Sequence, residues 1–157
     1  MRRARTFAIT ALLTLGLATA AFAGVAGAGG DLSKKEYLKE ANGICAAADE
    51  EIDAAFETVF EGVESEEDID PAAFEAVVVQ SLLPAIRVAI ADIATLDGPA
   101  KVEKKVGKAL DQYTDVADEI EDDPLILLES DEDPFAKADK TARKAGLTEC
   151  AEDEDEE

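Results

Sequence analysis

Histidine is absent from the 157 residues of this chain, and cysteine occurs only twice. The missing imidazole excludes Ser-His and Cys-His nucleophile systems, and with them the Glu-x-x-His ligand sets of di-iron bundles. Basic residues are scarce: 15 Lys and Arg stand against 37 Asp and Glu, a formal net charge of −22. So negative a surface argues against nucleic acid or an anionic membrane as a partner of the whole molecule, and leaves cations and basic partners open. Serine is confined to Ser33, Ser65, Ser81 and Ser130. None has the strand-turn-helix context that activates a hydrolase serine.

What is present begins with an export signal. In MRRARTFAITALLTLGLATAAFAG, Arg2, Arg3 and Arg5 precede an apolar run from Phe7 to Leu17, and small residues end at Ala21-Phe22-Ala23. This order predicts cleavage before Gly24. A retained anchor is the competing reading, because apolar character continues to Ala28, but the run is short and rich in Ala and Gly. No cysteine follows the small residues, which excludes lipid attachment there. The expected organisation is a signal peptide at 1–23, a flexible lead at 24–32, a helical domain at 33–150 and a disordered acidic tail at 151–157. The expected location is outside a bacterial cell, with no membrane contact after cleavage.

Periodicity places four helical segments. Ser33 followed by Glu36 is a capping box, with Leu32 and Tyr37 as its staple. Tyr37, Ala41, Ile44, Ala48, Ile52, Ala55 and Val59 then recur at three- and four-residue steps. Cys45 falls on the same side of the helix as that stripe, so its sulfur is expected in the core. Asp70-Pro71 opens a second and most apolar segment, expected to be the most buried and to kink or turn a corner at Pro84. Asp97-Gly98-Pro99 starts a third, whose seam is Val102, Val106, Ala109, Tyr113, Val116 and Ile120. Asp133-Pro134 opens a short fourth, with Phe135, Ala138, Ala142 and Ala145 on one face and Gly146 as its terminator.

Short links favour antiparallel neighbours. The expected fold is therefore all-α, an antiparallel four-helix up-down bundle with a short fourth helix. Outside the cytoplasm two cysteines usually form one disulfide. At about 1.5 Å per helical residue, Cys45 stands about 18 Å above the start of the first helix, and a descending fourth helix brings Cys150 to the same level. The pair Cys45–Cys150 is thus expected to be bonded.

The stretches Ala41-Asn42-Gly43-Ile44-Cys45, Asp97-Gly98-Pro99 and Ala145-Gly146-Leu147-Thr148-Glu149-Cys150 resemble those of uncharacterised small secreted all-helical proteins of actinobacteria, with one cysteine in the first helix and one near the C-terminus. The resemblance implies export and the same disulfide. It brings no activity and no catalytic residue.

With the thiols bonded, and every placeable carboxylate on a solvated face or loop, no catalytic residue and no cofactor is expected. The expected function is a monomeric, non-catalytic binding or interaction module at the cell envelope or beyond it, for an unknown protein or envelope component. The alternative is a low-affinity calcium-type site in the acidic loops, at Glu64, Glu66, Glu67, Asp68 and Asp70 or at Asp131 and Asp133. Neither loop has EF-hand spacing with its central glycine.

Overall fold

The computed structural model describes residues 32–61, 63, 68–130 and 132–151. Among them there is no strand. The elements are α1 (Lys34–Phe60), α2 (Pro71–Val77), a π-helical turn (Val78–Leu82), α3 (Leu83–Ala94), α4 (Ala100–Asp122), α5 (Ile126–Glu129) and α6 (Ala136–Ala145). The expected signal peptide, residues 24–31 of the lead and residues 152–157 of the tail lie outside the described residues.

The helix ends follow their local chemistry. Ser33 Oγ accepts from the Glu36 N–H at 3.3 Å, and Glu36 Oε2 accepts from the Ser33 N–H at 3.0 Å. Hydrogen bonding of the Glu36 carboxyl to Ser33, to its side chain first and then to its backbone N–H, holds that carboxyl below its ordinary pKa. Asp70 Oδ1 accepts from the Ala72 N–H at 3.0 Å, with Pro71 at the first helical position. Pro99 carries no capping group, and Glu103 Oε1 reaches back to accept from the Gly98 N–H at 2.7 Å. α6 ends in a Schellman turn: Gly146 takes φ +100°, and the Leu147 N–H donates to the Ala142 carbonyl at 3.0 Å. Leu147 itself is fully buried.

Pro84 does not split the segment into two separate helices. The chain stays helical from Pro71 to Ala94 because a π turn is inserted just before the proline, where the Leu83 N–H bonds the Val78 carbonyl. A π turn takes in one extra residue. Phe74, Val78, Leu82, Ile86, Ile90 and Ile93 are spaced at steps of four, four, four, four and three. On a pure α-helix of about 100° per residue that run would drift around the axis by roughly 100°, and the inserted residue returns it to one side. The expectation that this helix is the most buried also needs correction. It is long and apolar enough to cross a membrane by length and composition, yet only part of it is buried, and Val79 and Val88 are exposed.

α3 packs against both α1 and α4, and α6 packs against α4. The Leu32 N–H donates to the Asp97 carbonyl at 2.9 Å, tying the start of α1 to the chain just after α3. Phe56, near the other end of α1, meets Phe74 of α2 with ring centroids 5.6 Å apart. On α4 the expected seam is buried except for Val116, which is partly so, and Leu110 and Ala117 are buried beside it. The stripe is wider than a single seam because α4 serves two neighbours. α6 offers it alanines, with Ala138 and Ala142 fully buried, so the two helices need little side-chain volume between them.

Cys45 and Cys150 form the disulfide, with Cα atoms 4.9 Å apart. The domain extends slightly beyond its expected bounds. Leu32 packs on the core, and Ala151 is 9% exposed, so both belong to the fold rather than to the lead and the tail.

Candidate functional site

Two places gather polar or aromatic groups. The first surrounds the disulfide. Asn42 Nδ2 donates to the Leu38 carbonyl at 2.8 Å and to the Gly146 carbonyl at 2.9 Å, while its Oδ1 accepts from the Glu149 N–H at 2.9 Å. One amide side chain on α1 thus satisfies the backbone on both sides of Leu147 and Thr148. Nearby, the Tyr113 hydroxyl lies 2.6 Å from Asp139 Oδ1 and also reaches the Cys150 carbonyl oxygen. Burial first, then the bond to Asp139 and its charge, push the Tyr113 pKa far above the ordinary phenol value. Its proton is therefore held, and the group serves as a fixed donor rather than a base.

Asp139 is 4% exposed, which corrects the expectation that every carboxylate is solvated. Its burial follows from position. It projects from the alanine face of α6 towards α4, where Tyr113 supplies a donor. A hydroxyl on the buried seam of α4 was a signal that some acceptor had to face it.

The second place is an open groove of about 960 Å³ where α1 finishes, α2 begins and the chain enters α6. Phe56 and Phe60 stand one turn apart on α1, with Phe74 beside them from α2 and Phe135 across from the approach to α6. The Phe56–Phe60 and Phe60–Phe74 centroids are 5.9 and 6.5 Å apart, within ordinary aromatic contact. Ile52, Leu82 and Leu127 complete the apolar lining. Asp53 and Glu57 form one edge, Glu132 and Asp133 the other. Local bonds fix the second edge: Asp133 Oδ1 accepts from the Phe135 N–H at 2.8 Å, and Ser130 Oγ accepts from the Glu132 N–H at 3.1 Å.

Of the proposed cation ligands, Asp70 and Asp133 are occupied as backbone caps, and Asp68 is exposed in a short turn. Glu64, Glu66, Glu67 and Asp131 lie outside the described residues. Among the described residues no group of three or more His, Cys, Asp or Glu side chains is arranged to hold a metal ion.

Sequence periodicity did not single out Phe56 and Phe60, because both fall beside the α1 stripe rather than on it. The available signal was distributional. The chain has six phenylalanines; Phe7 and Phe22 lie outside the described residues, and the other four all line this groove. Compared with protein families, with curated proteins and with solved structures, the chain matches none.

Proposed function

We propose that the chain is an exported, monomeric, non-catalytic binding module of the kind seen among small secreted actinobacterial proteins, and that the phenylalanine groove is its binding face. The finer architecture belongs to the same reading, as an antiparallel four-helix up-down bundle with a short last helix. The contact of Leu32 with Asp97 and of Phe56 with Phe74 supports opposite directions for α1 and the α2–α3 helix. Export is supported by the sequence of residues 1–23 and is consistent with the disulfide.

One observation carries the functional reading. All four phenylalanines beyond the leader converge on one open groove, and Phe60 is 42% exposed within it. A chain with only 5% aromatic residues gains most stability by burying each ring. An open aromatic surface rimmed by polar groups is the usual form of a recognition site. Phe60→Ser tests it. The full-length chain is expected to be retained on cell-envelope material or on a component of the culture medium, and Phe60→Ser is expected to lose at least ten-fold of that retention while its melting temperature moves by only a few degrees. Equal retention of both proteins would remove the groove from the function.

A further inference from the structure

We infer that the groove takes a cationic amphipathic helix: a partner segment with Lys or Arg at one-turn spacing beside large apolar anchors. The inference rests on the groove being the binding face and adds the chemistry of the ligand. Its first support is the row of Asp53 and Glu57 on α1 and Glu61 at its C-cap. These residues are one turn apart, a rise of about 6 Å per step, and all are exposed. Asp53 and Glu57 edge the groove, and Glu57 and Glu61 continue into an adjoining hollow of about 480 Å³ that shares Phe60. Among the described residues Asp53, Glu57 and Glu61 are in no salt bridge, whereas Asp118 and Glu121, away from the groove, are held by Arg87.

The second support is the helix end itself. The C-terminus of a helix carries partial negative charge and favours basic side chains. α1 has no basic residue in its last turn, and carboxylates stand there instead. An incoming cation relieves that repulsion, and one-turn spacing on a second helix matches the row in register. Glu132 and Asp133 repeat the charge on the opposite edge, and neither Lys nor Arg occurs among the described residues lining the groove. The floor is phenyl and aliphatic, so a bare polycation leaves it unfilled, and a ring face also attracts an ammonium or guanidinium group. A second copy of the chain is disfavoured as occupant, since each carries a net charge of −22.

The test uses the full-length chain and a fluorescein-labelled peptide of about five helical turns, with Leu on one face and Lys on the other. Fluorescence anisotropy is read at low and at moderate salt. Saturable binding is expected, weakened at least ten-fold by Glu57→Lys with Glu61→Lys, and at least ten-fold by Phe60→Ser. The same charge change on α4, Asp111→Lys with Asp115→Lys, is expected to weaken it less than three-fold. A Lys/Ser peptide without an apolar face is expected to bind at least ten-fold more weakly. Equal losses from the groove and α4 reversals, or full binding by Phe60→Ser, overturn the proposal and reduce the effect to bulk charge. Circular dichroism verifies that each variant is folded, and the charge-reversal pair keeps the test decisive if Phe60→Ser is not. Should no peptide binding occur while envelope retention still depends on Phe60, the cationic ligand is refuted and the binding face stands. If both fail, both readings fall.

Discussion

Removing the Cys45–Cys150 bridge as the pair Cys45→Ala and Cys150→Ala separates two ways in which the last segment can be held. The bond spans 105 residues. In a loop-closure account it restricts the unfolded chain by about 4.7 kcal/mol, with engineered cases often realising less. For a domain of this size, about 4 °C of melting temperature accompanies each kcal/mol, so a fall of about 15–20 °C is expected. The native contacts are a separate contribution. Leu147 stays buried, Asn42 holds the Gly146 carbonyl and the Glu149 N–H, and Tyr113 holds Asp139. Removing the Asn42 side chain costs about 1–3 kcal/mol, because partly buried backbone groups lose their partners. The bridge variant should therefore lose global stability without local fraying. In urea titration its midpoint drops. In hydrogen exchange the Gly146 and Leu147 amides, both bonded to the Ala142 carbonyl, should keep protection comparable to that of α4. If those two amides exchange like an unfolded chain while α4 remains protected, the bridge is a local clasp. The entropic reasoning is then wrong.

Alkaline pH should unfold the protein through its two tyrosines. Burial comes first among the causes that raise both Tyr37 and Tyr113, so the folded state keeps their protons while the unfolded chain releases them near pH 10. The tyrosine contribution to stability is then constant below about pH 10 and falls above it by about 1.4 kcal/mol per pH unit for each tyrosine that stays protonated; Tyr113→Phe should halve that slope, and absorbance at 295 nm that titrates near pH 10 in the folded protein would refute it. Four glycines, Gly43, Gly98, Gly107 and Gly146, should divide into two pairs in thermal melts. Gly98→Ala places a Cβ 2.4 Å from the buried Tyr37 ring, and Gly146→Ala combines φ +100° with a Leu38 methyl at 2.8 Å, so each should cost roughly 1–3 kcal/mol. Gly43→Ala and Gly107→Ala meet nothing within 4 Å inside α1 and α4, and each should gain roughly 0.5–1 kcal/mol. A loss at Gly43 or Gly107, or none at Gly98, would show that the packing around α1 differs from that described.

The features legible in the sequence were those whose cause lies within a few residues. The Ser33 box, the Asp70-Pro71 start and the Gly146 stop each depend on a side chain and a backbone group within one turn. The disulfide was legible because helix rise converts residue number into height. How the chain accommodates Pro84 was not legible, because it depends on the neighbours of the whole helix. With α1 and α4 packed against it, keeping one apolar line favours a π turn over a break. Asp139 was illegible for a similar reason, since its burial depends on Tyr113, twenty-six residues earlier on another helix. Periodicity ranks a carboxylate by its own helix only.

The groove escaped for the deepest version of that reason. Its rings come from α1, α2 and the approach to α6, and no window of sequence contains them together. The two halves of the molecule are also held differently. Around Cys45 the chain is fixed by a covalent bond, by Asn42 on two backbone segments and by a closed Schellman turn. Around Phe60 the groove edge is fixed by short local bonds at Ser130 and Asp133, and the α1 terminus carries like charges. Constellations held on rigid helices keep their geometry better than those on loops, while segments with few buried contacts open at low cost. The bridged half therefore supplies a fixed frame, from which α1 carries Phe56 and Phe60 to the half that is left open.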